Sequence, residues 1–307
     1  MVGGSAVAMP EADLRCIAAV GDQVGESPVW SQADGSVYWT DVCRFLVHQL
    51  VVSRETLRTW IFDEPVVALS LSNESGRWLV ALASRLIWWW PKTDRRMEHG
   101  FVLPGYPRVR LNDGRADPQG NFWIGSMRNN LLPNGDLTSA GGTDGVMYRI
   151  SPTGQVSEHI HGLGISNTVC WSPDGGTFYT ADTLANAVWA YTFDAHNAAL
   201  GQRRDFFIGH GEGLPDGSAM DAAGYLWNCR FGGGSIVRLA PNGSIDRIVR
   251  LPVQDVTSAC FGGPDLQTLF ITSAAVLHHS GERLAGSLWA LACDTPGLAP
   301  NMVKIAP

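Results

Sequence analysis

LPDGSAMDAAGYLW, residues Leu214–Trp227, places an acidic residue, a tight turn and a strand end within fourteen positions. Asp216 lies between a proline and a glycine, so it reads as a turn residue rather than a member of a regular element. A short half-apolar run, Ser218–Asp221, leads into a turn at Ala222–Gly224 and an aromatic strand, Tyr225–Trp227. The same strand–turn–strand unit is found in five other stretches: Gly25–Val42, Val66–Ala83, Leu111–Met127, Gly164–Asp182 and Val256–Ala274. Their turns, near Gly35, Gly76, Gly120, Gly175, Gly224 and Asp265, recur about every 46 residues. Further strands follow the units at Phe45–Val52, Thr56–Phe62, Arg85–Trp90, Val146–Ile150, Ala187–Phe193, Ser235–Leu239 and Ser287–Ala292. A polar loop, Arg128–Gly145, interrupts the third copy. No stretch sustains the three- and four-residue apolar spacing of an amphipathic helix. After a loose N-terminus, the period and strand content predict an all-β fold: one six-bladed β-propeller domain spanning residues 1–307.

Composition narrows the partners. Of the 307 residues, 45 % are hydrophobic and 17 % charged, the balance of a compact globular chain. The formal net charge is −7 and no Lys/Arg run exists, which argues against nucleic acid and anionic membrane. Leu86–Trp90, the most apolar local run, is far too short to span a bilayer. The six cysteines are scattered without CxxC or zinc spacing, and several sit in apolar runs. Reduced, buried thiols are expected, and with them a cytoplasmic setting. The N-terminus lacks the basic region and apolar core of a signal peptide.

In a propeller the inner strands of all blades converge on one tunnel mouth. The polar residues before the aromatic unit are Glu26 in GESPVW, Arg110, Asn112 and Asp113 in RLNDG, Asn167 in GISNTV and Asp216 in LPDGS. Taken singly, an Asp or Asn before Gly is by default a turn residue bonding its own backbone. Taken together, Glu26, Asn167 and Asp216 make an all-oxygen set with two negative charges, suited to a hard divalent cation. Three protein ligands leave coordination positions open, as catalytic metal sites do. Arg110 and Asn112 offer hydrogen bonds to hydroxyls or a carbonyl, and the alternative for Arg110 is a surface ion pair. Asp113 reads as a turn-former beside Gly114. His278–His279 read as a solvated loop, because adjacent residues in an extended segment point apart. No GxSxG serine motif and no phosphate loop is present.

GESPVW, the R-x-NDG segment, ISN before a WSPDG turn, PDG before a D-x-x-G-x-LW turn, and CFGG resemble, in order from Gly25 to Trp289, the gluconolactonase/regucalcin family of sugar lactonases. That resemblance implies a six-bladed propeller with one divalent ion in the central tunnel. Calcium is the first expectation, with magnesium, manganese, zinc and iron(II) as alternatives. It implies Glu26, Asn167 and Asp216 as metal ligands, Arg110 and Asn112 as substrate-binding residues, and Asp216 as general base. The expected reaction is hydrolysis of a gluconolactone- or xylonolactone-like aldonolactone. A broader esterase or organophosphate hydrolase and a non-enzymatic calcium-binding propeller are the other classes. Two features depart from the family: Asn129 and Asn130 stand in the loop where regucalcin-like members place an acid, and Thr168 stands where many members have Gly.

Overall fold

Alternating apolar and polar positions punctuated by Gly-containing turns build strands here, and the strands assemble as blades. The computed structural model describes residues 7, 8, 13–276 and 281–304. Near the N-terminus lie β1 (Val7–Ala8) and β2 (Leu14–Ala18). Blade one holds β3 (Gly25–Ser31), β4 (Ser36–Asp41), β5 (Leu46–Val51) and β6 (Thr56–Ile61). Blade two holds β7 (Val66–Leu71), β8 (Trp78–Leu82), β9 (Arg85–Trp90) and β10 (Arg95–Val102). Blade three holds β11 (Val109–Ala116), β12 (Phe122–Arg128), β13 (Gly145–Ile150) and β14 (Val156–Leu163). Blade four holds β15 (Ser166–Trp171), β16 (Thr177–Asp182), β17 (Ala187–Asp194) and β18 (Ala199–Ile208). Blade five holds β19 (Leu214–Met220), β20 (Leu226–Phe231), β21 (Ser235–Leu239) and β22 (Ile245–Arg250). Blade six holds β23 (Val256–Gly262), β24 (Thr268–Ser273) and β25 (Leu288–Ala292), with β2 as its outer strand.

Each blade is an antiparallel meander whose first strand is innermost, save that β2 closes blade six from the other end of the chain and β1 adds in parallel to β22. The inner strands touch in a closed cycle, β3–β7–β11–β15–β19–β23 and back to β3. Apolar clusters fill the gaps between consecutive blades. Val29, Tyr38 and Trp60 meet Val80 and Trp89 between blades one and two. Trp123 and Met147 meet Val169 and Phe178 between blades three and four. Trp30 and Trp39 meet Phe270 and Leu288 where the ring closes.

The six-bladed propeller expected from the repeat is therefore present, with three corrections. The N-terminal segment is not loose throughout, since β2 pairs with β25 from Leu14↔Leu291 to Ala18↔Leu288. The outer strands β10, β14, β18 and β22 were not legible, because they carry polar residues on both faces, as in RRMEHGFV and VSEHIHGL. Such charged edges discourage pairing with other chains. A C-terminal strap also crosses the floor of the ring. Its backbone bonds reach blade six (Gly297 N to Leu266 O), blade five (Leu298 N to Met220 O), blade two (Val303 N to Leu71 O) and blade three (Lys304 N to Gly120 O).

Truncation of the chain before Val20, which removes β2, is expected to lower the thermal midpoint by about 5 °C or more, at roughly 1.5 °C per kcal/mol for a chain of this size. Differential scanning calorimetry of the truncated protein measures this, and an unchanged midpoint would contradict the closing role of β2.

Candidate functional site

Every inner strand carries a register shift at the same height. The shifts fall between Glu26 and Val29, Val66 and Ala68, Leu111 and Gly114, Asn167 and Val169, Pro215 and Ser218, and Val256 and Ala259. Each is a β-bulge, which bends its strand and re-aims the side chains beside it. Asn112, Asp113 and Asp216 lie within these bulges, while Glu26 and Asn167 are the last paired residues before them. Asp216 and Asp113 were both read from sequence as turn residues. They stand instead inside β19 and β11, where Gly217 lies within its bulge and Gly114 is the first paired residue after its own. A Cβ at Gly217 would fall on the Ser258 side chain, and one at Gly114 would sit 2.8 Å from Trp123 O. Gly was read correctly as a conformational signal, but both bulges and turns use it.

Three carboxylates meet at this level. The Glu26 and Asp216 carboxyls are in hydrogen-bonding contact, with the charge of Asp113 acting on both. Asp113 accepts from the backbone N–H groups of Gly114 and Thr168. Burial raises Glu26 to about 8, with repulsion from Asp113 adding to it. Burial likewise raises Asp216 well above the carboxylate range, followed by the charges of Glu26 and Asp113. Two carboxyls in contact need a shared proton or a cation between them. Asp216 Oδ1 and Asp113 Oδ2 are buried and have no hydrogen-bond partner among the described residues.

The amide orientations are fixed by their neighbours. Arg110, a donor only, gives Nη1–H to Asn112 Oδ1 at 2.7 Å, so Asn112 presents Nδ2 to Asn167 Oδ1 at 2.9 Å and to Ser166 O at 3.0 Å. Asn167 Nδ2 then donates to Thr183 Oγ1 at 2.9 Å. Asn167 is 4 % exposed, and its oxygen faces Asn112 of blade three rather than blade four. Glu26, Asn167 and Asp216 thus supply an all-oxygen set with unfilled acceptor capacity. Among the described residues no three of His, Cys, Asp and Glu are placed to hold a metal ion by themselves, so a two-carboxylate site here needs the amide oxygen.

Arg110 is 6 % exposed and is not the surface residue of the alternative reading. Its Nε and Nη2 donate to Asn130 Oδ1 at 3.2 and 3.0 Å, and Nη1 also to Leu111 O at 3.0 Å. Burial lowers it to about 10. One Nη2–H of Arg110 and one lone pair of Asn112 Oδ1 remain for a ligand. Asn130 sits on the long loop between β12 and β13, which reaches across to blade one: a Cβ on Gly135 would land on Cys43 O. His278–His279 lie outside the described residues.

Several further residues support the site without being candidates for it in the sequence. Thr168 has φ +54°, a left-handed conformation unfavourable for a β-branched residue. Its Oγ1 donates to Asp216 O at 2.5 Å and contacts Ser218 Oγ at 2.8 Å. Asn228 Nδ2 supports Asp216 O and Ser218 Oγ, and Arg230 Nη1 fixes Asn228 through its Oδ1. Below the carboxylates, Arg115 donates to Ala259 O at 2.9 Å and borders a cavity of about 100 Å³ closed by the strap at Leu298–Asn301. All six cysteines are free, and five are buried. Among the described residues no helix is long and apolar enough to cross a membrane.

Residues 24–275 match the family model described as SMP-30/Gluconolactonase/LRE-like region. Regucalcin of Danio rerio is 32 % identical over 274 residues, covering 87 % of this chain and 88 % of that protein. The 6-deoxy-6-sulfogluconolactonase of Pseudomonas putida is 32 % identical over 298 residues, covering 93 % and 97 %. A crystal structure of regucalcin from Agrobacterium tumefaciens, described as a calcium-binding protein, superposes with a TM-score of 0.87 at 26 % identity, covering 95 % and 97 %.

Two measurements follow from this geometry. The raised Glu26 carboxyl stabilises the metal-free fold below its ordinary value of 4.5, and that stability is lost as pH rises through about 8. In chelator, the thermal midpoint of wild type is expected to fall between pH 5 and 8, and Glu26→Gln to flatten that slope. At Thr168, Ala keeps the positive φ while losing the bond to Asp216 O, whereas Gly relieves the strain. Urea unfolding is expected to order stability as wild type, then Thr168→Gly, then Thr168→Ala, the last two separated by about 1 kcal/mol.

Proposed function

The chain belongs to the SMP-30/gluconolactonase/LRE-like family, and on that premise we propose that it is a metal-dependent sugar lactonase opening an aldonolactone to its aldonic acid. The observation that supports this reading is the contact of the buried Glu26 and Asp216 carboxyls, with Asp216 Oδ1 unpaired, on the ring of bulges that Asn167 also borders. This donor set fits a hard divalent cation such as calcium, and the calcium-binding description of the Agrobacterium protein supports the choice. Held by these three residues, the cation supplies Lewis acidity toward the lactone carbonyl.

The chain's own residues do the remaining work. Asp216, beside the cation it helps to hold, accepts the proton of the attacking water. Arg110 offers its remaining Nη2–H, and Asn112 the second lone pair of Oδ1, to the hydroxyls of the sugar ring. Their other bonds hold them in place before substrate arrives, which reduces the ordering cost of binding. The water oxygen bonds to the carbonyl carbon, the acyl–oxygen bond of the ring breaks, and the proton taken by Asp216 passes to the departing ring oxygen, leaving an open-chain hydroxy acid. The substrate is a gluconolactone- or xylonolactone-like ring. The sulfonated lactone named for the Pseudomonas relative belongs in the panel, because the buried Arg110 faces the amide of Asn130 instead of a carboxylate.

Acid release from freshly prepared glucono-, xylono- and 6-sulfogluconolactone, with chelator-stripped protein and added divalent ions, tests the reading. Metal-dependent acceleration over spontaneous hydrolysis is expected, abolished by Glu26→Ala and Asp216→Ala. Asp216→Asn at full metal occupancy is expected to reduce kcat by about 10²- to 10⁴-fold; a near-normal rate would leave Asp216 as a ligand only. Stoichiometric calcium binding without turnover of any lactone would instead support a binding protein.

A further inference from the structure

The side chains that hold Asn167 in register form one directed chain of hydrogen bonds across three blades. It begins at Arg110 on β11, which can only donate, and ends at Pro215 O on β19, which can only accept. Between them run Arg110 Nη1 to Asn112 Oδ1 at 2.7 Å, Asn112 Nδ2 to Asn167 Oδ1 at 2.9 Å, Asn167 Nδ2 to Thr183 Oγ1 at 2.9 Å, and Thr183 Oγ1 to Pro215 O at 2.7 Å. Both ends fix the direction, so no member can flip without breaking two bonds.

Thr183 decides the outcome at Asn167. Its single hydroxyl proton is committed to Pro215 O, so toward Asn167 it can only accept. That forces the Asn167 NH₂ toward Thr183 and leaves the amide oxygen on the side of Asn112, across from blade four's own hydroxyl. Thr183 follows β16, is 6 % exposed, and is held by its own backbone, with N–H donating to Ile165 O at 3.1 Å. Pro215 immediately precedes Asp216, so the same hydroxyl also ties the site's amide to the strand that carries its carboxylate.

We propose that Thr183 is a positioning residue that orients Asn167 for cation binding, touching neither cation nor substrate. The inference rests on the reading of Asn167 as a metal ligand. Outer-sphere partners of this kind are typically worth about 10- to 100-fold in metal affinity.

The test is calcium titration by isothermal titration calorimetry of chelator-stripped full-length protein, with a thermal melt of each variant. Asn167→Ala is expected to weaken calcium binding, and Thr183→Val to weaken it by about 10- to 100-fold. Thr183→Ser, which keeps the hydroxyl, is expected to bind as wild type. In the Asn167→Ala background, Thr183→Val is expected to add nothing, because the group it orients is gone. Should Thr183→Val lose its cooperative transition, Thr183→Ala carries the same expectation without the extra bulk. Wild-type affinity in the Val or Ala variant, or equal weakening in the Ser variant, would overturn the positioning role while leaving Asn167 a ligand. An undiminished effect of Thr183→Val in the Asn167→Ala background would overturn it too, placing the action on β19. Unchanged affinity in Asn167→Ala alone would remove the ligand reading itself, and the inference with it.

Discussion

The ring of β-bulges is the constraint on which the site depends. A regular inner strand would send alternate side chains into the two neighbouring blade interfaces and leave the tunnel lined with backbone. One extra residue at the same height in each blade breaks that alternation and turns polar side chains toward the axis. The bulges recur in all six blades, yet only those of blades one, three, four and five carry the candidate ligands and substrate residues. Blade two has Val67 at this position and blade six has Thr257 and Ser258. The scaffold thus repeats a geometry of which the chemistry uses part, and the chemical identity of the site lies in a handful of side chains.

Bringing Glu26, Asp113 and Asp216 together out of water is costly, and the surrounding polar groups are arranged to hold them there. The strain at Thr168 and the burial of Arg110 and Arg230 belong to the same arrangement. Thr168 and Thr183 of blade four donate to consecutive carbonyls of the β19 bulge, Asp216 O and Pro215 O. Carboxylates that repel one another would otherwise relax outward. Cross-blade hydrogen bonds oppose that relaxation.

The architecture was readable because the repeat has two strong signals, an aromatic strand and a Gly-containing turn, at a steady period. The positions of Glu26, Arg110, Asn112, Asn167 and Asp216 were readable as equivalents of one another for the same reason. What escaped was anything whose signal depends on partners distant in sequence. β14 and β18 look like loops because their outer faces meet water. Asp113 looks like a turn because Asp-Gly serves turns and bulges alike. Thr183 looks like any threonine after a strand, and its importance exists only because Pro215 O and Asn167 Nδ2 lie on either side of it. Arg110 was expected to be a ligand for substrate, and most of its donors are committed to Asn130, Asn112 and Leu111 O.

The strap over the floor and the composite sixth blade have a consequence for how the protein comes into being. Each of the first five blades can pair its own four strands as the chain emerges, but the sixth needs β2 together with β23, β24 and β25. The strap from Gly297 to Lys304 bonds to blades two, three, five and six at once, and so bridges elements far apart in the ring. Glu26, Asp113 and Asp216 lie on three different blades, so their cluster is a property of the closed ring and of no blade by itself.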